Sequence, residues 1–377
     1  MSLKRTHIFQ YHQTHAHLVD FAGFEMPLWY KGTISECHAV RERVGLFDVS
    51  HMGRAMVSGP ESTEFLNYVT TNDVSSLEPM QAIYSLLCNP NGGIIDDIII
   101  MQLSDDQYLV VYNAGNRDKD QAWLQKNASR FKTGISVVSD NMAMFALQGP
   151  GSSKVLGALT GDTSFERIKR FGLSWMQING RKLLVSRTGY TGEDGFEVFI
   201  PDSPVSDPSA ALLVWELLLR AGEGFGIEPC GLGARDVLRL EAGICLYGND
   251  IDESKSPLEA KLRFAVKLDK GDFIGKASLV DQKNRGVSRS RVGLRVVERG
   301  IPRAGCEIIR DNEKVGTVTS GTFSPIIEAG IAMGYVDSSA ARSGETLQVR
   351  VHGKDLAARV TKFPFYDVDK YGWQRKS

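Results

Sequence analysis

Ala82-Ile-Tyr-Ser-Leu-Leu-Cys-Asn-Pro-Asn-Gly-Gly-Ile-Ile-Asp-Asp-Ile-Ile-Ile-Met101 is two apolar runs joined by a cluster of turn residues, Asn89-Pro90-Asn91-Gly92-Gly93. Proline fixes φ, and asparagine and glycine tolerate positive φ, so the stretch predicts two strands joined by a turn. The second strand carries two adjacent carboxylates. Alternation puts Asp97 on the face of Ile95 and Ile99, and Asp96 on the face of Ile94, Ile98 and Ile100. A carboxylate held among isoleucines must be hydrogen-bonded, paired or protonated, because stranding it costs several kcal/mol. The pair is therefore a candidate acid/base or ligand-anchoring site. The competing reading is structural: one aspartate bonds the amides of the preceding turn and the other faces water.

Upstream of this hairpin, the run from Thr14 to Glu25 passes from a possible helix into a strand or turn. Ser35 to Val44 predicts a helix that Gly45 is placed to end. Leu46 to Val57 alternates as one strand and leads into Ser58-Gly59-Pro60-Glu61-Ser62, a turn and helix start with proline and an early acid where a helix N-terminus favours them. The same grammar returns at Phe145 to Leu156, where an apolar strand passes through Gly149-Pro150 into a serine-capped helix. Two such units point to two related α+β halves. Between them, Gln107–Tyr112 is a strand that delivers Asn113, whose amide could read a polar ring edge or could serve a turn or N-cap.

Further on, Lys182–Thr188 and Phe196–Ile200 are strands bridged by Gly189-Tyr190-Thr191-Gly192-Glu193-Asp194-Gly195. Its glycines allow close approach to another surface, with Tyr190 at the tip. Glu197 interrupts an apolar strand as the aspartates do, and carboxylates on separate strands near glycine-rich turns read as the lining of a polar pocket. Gly231-Leu-Gly-Ala-Arg235-Asp236 opens a helix. An arginine in a first helical turn does not relieve the macrodipole, so a forked contact to a carboxylate competes with a plain surface role. Lys283–Arg291 is basic and without periodicity, and is expected to be a linker. Beyond it, short strands at 292–297, 306–309, 313–320, 329–336, 346–351 and 356–361 predict a small antiparallel barrel or sandwich.

With 377 residues the chain exceeds what one core usually organises. Formal net charge is -1, from 44 basic and 45 acidic residues, so no global field favours nucleic acid and an anionic ligand must be met by local charges. No apolar run approaches the roughly 20 residues of a membrane span, and the polar start has no signal-like core. A cytoplasmic location is expected, or the mitochondrial matrix in a eukaryote. Five scattered cysteines without a Cys-x-x-Cys argue against a disulfide framework and a zinc site. His12, His15 and His17 read as part of a polar amphipathic helix rather than a metal set.

The chain resembles the T-protein family of the glycine cleavage system, the aminomethyltransferases, along nearly its whole length. The resemblance is carried by Asp20-Phe-Ala-Gly-Phe-Glu-Met-Pro-Leu28, Gly45-Leu-Phe-Asp-Val-Ser-His-Met-Gly53, Ala82-Ile-Tyr84, Gly92-Gly-Ile-Ile-Asp-Asp97, Val111-Tyr-Asn-Ala114, Ser186-Arg-Thr-Gly-Tyr-Thr-Gly-Glu-Asp-Gly-Phe-Glu197, Gly231-Leu-Gly-Ala-Arg-Asp236 and Thr319-Ser-Gly-Thr-Phe-Ser-Pro325. It implies an α+β cloverleaf: an internally duplicated folate-binding region with antiparallel sheets, residues 1–282, and an antiparallel β-barrel, residues 283–377. It further implies transfer of an aminomethyl carbon from the dihydrolipoyl arm of lipoylated H-protein to tetrahydrofolate, with release of ammonia. Carried over motif by motif, Asp97 is the essential carboxylate, Glu197 accepts hydrogen bonds from the pterin edge, and Met52, Tyr84, Asn113, Tyr190 and Arg235 line the pocket. No metal, nucleic acid or membrane is implied. After Pro364-Phe365 many relatives have an arginine, where this chain has Tyr366-Asp367.

Two alternatives share the implied fold: a folate-dependent demethylase, and a non-catalytic folate-binding protein of iron–sulfur maturation. The latter group resembles a Lys-Gly-Cys-Tyr-x-Gly-Gln-Glu pattern, whereas this chain reads Gly243-Ile-Cys245-Leu-Tyr247-Gly248-Asn249-Asp250.

Overall fold

The computed structural model describes residues 2–376. Helix α1 (Phe9–His15) leads into a small hairpin, β1 (His17–Phe21) and β2 (Phe24–Trp29), followed by α2 (Thr33–Glu42) and β3 (Val44–Asp48). The helix thus stops before Gly45, which lies inside β3. A Cβ there would meet Val40 at 2.4 Å and the Cys230 sulfur at 2.8 Å, so the glycine serves close packing and not helix termination. The segment expected as one strand is two, β3 and β4 (Gly53–Ser58), split by a turn that Asp48 organises by accepting the Ser50 N–H at 2.9 Å. The histidine expectation also changes. His15 stacks on Tyr11 and His17 on Trp29, but His12 is fully buried, because the polar partners it needs lie inside.

After β4 come α3 (Ser62–Val69), β5 (Gln81–Cys88), β6 (Ile94–Ser104), β7 (Gln107–Tyr112), α4 (Arg117–Ala128) and β8 (Gly134–Val137). Then follow β9 (Ala143–Gln148), α5 (Ser152–Thr160), β10 (Leu173–Ile178), β11 (Arg181–Ser186), β12 (Gly195–Ile200), α6 (Ser209–Gly222) and β13 (Ile227–Pro229). These strands form two sheets, ordered β5-β6-β7-β4-β8 and β10-β11-β12-β9-β3-β13. The predicted hairpin is β5–β6. Both Gly-Pro units are present, at the ends of β4 and β9, with Gly59 and Gly149 at φ 134° and 123°, a region closed to residues with a Cβ. In α6, Ala210, Ala211, Val214, Trp215 and Leu218 recur along one buried stripe, packing with Phe145, Leu147, Phe196 and Val198 from the second sheet.

The chain closes with α7 (Leu232–Ala242), α8 (Lys276–Arg285) and six strands: β14 (Arg289–Val296), β15 (Glu307–Arg310), β16 (Glu313–Ser324), β17 (Ala329–Asp337), β18 (Thr346–Val351) and β19 (Lys354–Thr361). They close into a barrel in the order β14-β17-β16-β15-β18-β19, filled by alternate residues such as Val292, Leu294, Leu347 and Val349. The expected linker is largely structured. Lys283–Arg285 end α8, and Arg289–Arg291 open β14 because their side chains find acceptors: Arg289 donates to Glu259 at 2.8 Å and Arg291 to the Gly243 carbonyl at 2.9 Å.

Two compact units result, each assembled from three stretches of chain. Among the described residues, the first holds 2–67, 74–84 and 98–235; the second holds 68–73, 85–97 and 236–376. In the second unit, buried Arg239 of α7 binds Asp236 at 2.8 Å, Asp250 at 2.5 Å and Ser320 of the barrel at 2.9 Å. No helix among the described residues is long and apolar enough to cross a membrane.

Candidate active site

Within the first unit, the glycine-rich loop between β11 and β12 is pinned from both ends. Arg187 grips Asp194 through two parallel bonds of 2.9 and 2.6 Å, the geometry in which a guanidinium binds a carboxylate best. Inside the loop, fully buried Arg41 donates to the Thr191 carbonyl at 2.9 Å and to Glu193 at 3.0 Å. Gln148 of β9 accepts from the Thr191 hydroxyl at 2.7 Å, and a Cβ at Gly189 would come within 2.0 Å of that glutamine. A loop so held presents Tyr190 in one place. Over its ring lies the Arg235 guanidinium, 4.5 Å from the centroid, a cation–π arrangement.

Arg235 stands in the first turn of α7, whose start is set by Glu36. That carboxylate is buried, accepts the Gly231 N–H at 2.8 Å, and gathers the N–H groups of Tyr30 and Lys31 at 2.6 and 3.1 Å. Burial raises its pKa although four backbone donors oppose the shift. Glu197 of β12 is 8% exposed and accepts from the Thr188 hydroxyl, with the Ser186 oxygen 2.9 Å from that hydroxyl. Burial pushes the Glu197 carboxyl up; the Thr188 bond and the Arg235 charge oppose it. Burial likewise depresses Arg235, with Tyr190 and Glu197 acting against the shift. The structure therefore brings together Tyr190, Glu197 and Arg235: an aromatic face, a buried acceptor and a forked cation.

Met52 is half-buried in the turn between β3 and β4. That turn rests on Asp48, which binds His12 Nε2 at 2.8 Å, while His12 Nδ1 meets the Tyr30 hydroxyl at 2.8 Å. Burial alone would raise the Asp48 carboxyl, but the His12 and Ser50 contacts hold it well below the usual range. Beside Met52, His51 is 1% exposed, packed edge-on against Phe21 and Phe24, and its Nδ1 meets no hydrogen-bond partner among the described residues. Burial, followed by the charge of Arg235, lowers its pKa to about 3, so its ring is neutral. Sequence reading missed His51, Glu36 and Arg41. The signal available for each was a lone polar residue in an apolar run, which does not distinguish a buried role from an exposed one.

Asn113 follows β7 and is half-buried; it precedes a short 3-10 turn but its side chain does not cap it. Tyr84 of β5 is half-buried and is the last β5 residue in the first unit. Asp97 is the last residue of the 85–97 stretch in the second unit. As the alternation predicts, the two aspartates differ: Asp96 is fully buried and Asp97 half-buried. In the preceding turn, Asn89 accepts the amides of Asn91 and Gly93, at 3.0 and 3.1 Å. Gly93 is required because a Cβ would lie 2.0 Å from the Glu253 carbonyl. In the same unit the Asp97 charge reaches Cys245, whose thiol burial pushes up to about 12, with Arg291 opposing. A thiol raised in this way stays protonated at neutral pH. Among the described residues no group of three His, Cys, Asp or Glu could hold a metal ion.

Comparison with known proteins places the chain in a family. Residues 8–270 match the model of the GCVT N-terminal domain, and residues 289–367 that of the glycine cleavage T-protein C-terminal barrel domain. An aminomethyltransferase of Caldanaerobacter subterraneus subsp. tengcongensis is 45% identical over 97% of this chain and 96% of its own length. One from Desulfitobacterium hafniense is 44% identical over 97% and 98%. The crystal structure of glycine cleavage system aminomethyltransferase T from Bartonella henselae is 35% identical, covers 99% of this chain and 100% of its own, and superposes with a TM-score of 0.89. With both domains matched in order and the relatives matched end to end, the chain belongs to the glycine cleavage T-protein family of aminomethyltransferases.

Proposed function

We propose that this aminomethyltransferase takes the methylene of an aminomethyl group from the dihydrolipoyl arm of a lipoylated H-protein and passes it to tetrahydrofolate, releasing ammonia and forming 5,10-methylenetetrahydrofolate. Glu197 is the observation that carries the reading. A carboxylate 8% exposed, with its pKa raised by burial, is costly in a strand unless donors meet it. The adjacent N–H groups of a pterin edge are such donors, and a carboxylate is the acceptor they match. Tyr190 and Arg235 offer a wall for the ring system and a cation for the glutamate tail, and we assign Met52, Tyr84 and Asn113 to the same pocket. The family models, meeting between residues 270 and 289, support a folate-binding region at 1–282 and a barrel domain at 283–377. The named relatives are bacterial, which supports a cytoplasmic location.

Asp97 is assigned the proton. The transferred carbon exchanges its bonds to sulfur and to the amine for bonds to two folate nitrogens. The two hydrogens those nitrogens lose leave on ammonia and on the regenerated thiol. A carboxylate orients the attacking nitrogen and relays its proton, and the half-burial of Asp97 keeps it reachable while its isoleucine neighbours strengthen its interactions. The test is ammonia release from aminomethyl-loaded H-protein with tetrahydrofolate. Wild-type protein should turn over, and Asp97→Asn should bind folate but turn over about 10²-fold or more slowly. Full activity in Asp97→Asn rejects the role; no ammonia release by the wild type, with demethylation of a small methylated compound instead, rejects the reaction.

A further inference from the structure

Arg54, at the start of β4, is the least expected charge in the first unit. Its side chain is wholly buried, and among the described residues its hydrogen-bond partners are backbone carbonyls. Instead it curls back under the turn that precedes it. One terminal nitrogen, Nη1, donates to the Ser50 carbonyl at 3.1 Å and the Met52 carbonyl at 2.7 Å. The other, Nη2, donates to the Ser50 carbonyl at 3.1 Å and also to the Ser139 carbonyl. Ser139 closes the arrangement from the far side, its hydroxyl oxygen accepting the Arg54 N–H at 2.8 Å. Nε is buried and meets no hydrogen-bond partner among the described residues.

A planar fork bonded to the carbonyls of residues 50 and 52 fixes the peptide planes on both sides of His51 and Met52. With those planes set, the two side chains have little freedom left in how they leave the backbone. An apolar residue at this place would strand the carbonyls of Ser50, Met52 and Ser139, and a lysine, whose ammonium is a point charge, could not span them with the same geometry. The charge has a second effect. Arg54 is among the cations that, after burial and Arg235, hold His51 neutral, so the turn presents an uncharged imidazole next to Met52.

We infer that Arg54 is a positioning residue for folate binding: through the carbonyls of Ser50 and Met52 it sets the turn that carries His51 and Met52. The inference rests on the assignment of Met52 to the folate pocket. It is tested by steady-state kinetics and by titration with tetrahydrofolate, on the full chain, for Arg54→Met, Arg54→Lys and Met52→Ala. Both Arg54 variants should raise KM and the dissociation constant for tetrahydrofolate by about 10- to 100-fold, the cost of displacing a contact by about 1 Å, with a smaller change in kcat. Arg54→Ala with added guanidinium ion should recover part of the lost affinity, while wild type gains nothing. If Arg54→Met does not fold, Arg54→Lys, which keeps the stem and the charge, is the variant that decides. Folded Arg54 variants with lowered melting temperature but unchanged KM, alongside a raised KM in Met52→Ala, would show Arg54 to be purely structural and overturn the inference. Unchanged KM in Met52→Ala would remove Met52 from the pocket and take this inference with it, leaving the roles of Glu197 and Asp97 untouched.

Discussion

The two sheets of the first unit follow one plan and depart from it in two places. In each, the chain runs strand, Gly-Pro turn, helix, hairpin, strand, helix, strand: β4, α3, β5–β6, β7, α4, β8 in one and β9, α5, β10–β11, β12, α6, β13 in the other. The orders β5-β6-β7-β4 and β10-β11-β12-β9 are the same. The first departure is at the edge. β8 pairs antiparallel with β4, whereas β3 takes that place beside β9 and β13 is displaced outward to pair parallel with β3. The second is the hairpin. β10–β11 turns on Asn179-Gly180 with φ of 49° and 77°, the two-residue turn that matches strand twist. β5–β6 is longer, and its residues 85–97 are counted to the second unit. The elongated hairpin carries Asp97; the sheet that kept the short hairpin holds Glu197 and the Tyr190 loop. Duplication supplied two related frames, and in the roles proposed above their divergence puts the proton-handling carboxylate on one and the pterin acceptor on the other.

That division of labour can be broken by experiment. If the second sheet serves recognition, Arg235→Met should raise the dissociation constant for tetrahydrofolate about 10- to 150-fold, the value of a charge-assisted contact of roughly 1.5–3 kcal/mol. The effect should be larger for polyglutamyl forms, as read by calorimetric titration, and a fall in kcat without a change in affinity would put Arg235 on the catalytic side. A smaller effect sharpens the comparison of the frames. A Cβ at Gly59 would lie 2.5 Å from the Lys132 carbonyl, and at Gly149 2.6 Å from the Arg43 carbonyl. Gly59→Ala and Gly149→Ala should therefore destabilise the first unit comparably, by about 1–3 kcal/mol each, measured by thermal and urea unfolding; a harmless change at either site would show that the two turns are no longer equivalent.

A further effect concerns pH. His51 and His7 are buried, and burial lowers their pKa values to about 3 and about 4. Unfolded, both titrate near the ordinary value of 6.5. The unfolded chain then holds more protons than the folded one from about pH 6.5 downward, so stability is full above that pH and falls as the medium is acidified toward pH 3 to 4. His51→Phe, with Phe21 and Phe24 already around it, should flatten this decline by one proton, and an unchanged slope would mean that His51 is not neutral in the fold.

Much of this molecule was legible in its residues. The barrel strands, the β5–β6 turn and the Gly-Pro pair depend on local chemistry: alternation, φ restrictions and caps. What escaped depends on partners far along the chain. The break between β3 and β4 looks like continuous alternation until Asp48 is seen to bind the Ser50 amide and, from 36 residues away, His12. Lys283–Arg291 looks like solvated linker until its arginines find Glu259 and the Gly243 carbonyl. The same limit applies to the site. Tyr190, Glu197 and Arg235 stand out by type and setting, but Arg54 and Glu36 act on backbone groups, and a backbone carbonyl or amide leaves no mark in a sequence.

The interleaving of the two units has a consequence for biosynthesis. Thr70 and Asn72 are held by Lys270, which bonds their carbonyls at 2.7 and 2.6 Å, and Ile94 pairs with the Lys255 carbonyl at 3.0 Å. On the ribosome those partners do not yet exist when residues 68–97 emerge. At 5–20 residues per second, roughly 8 to 30 s pass between Ser85 and Asp236. Throughout that interval Leu86, Leu87, Cys88, Ile94 and Ile95, all buried in the finished molecule, wait without their final surroundings. The nascent chain therefore carries an apolar, strand-forming hairpin unpaired with its final surroundings throughout that interval, and a product truncated before Asp236 is expected to aggregate.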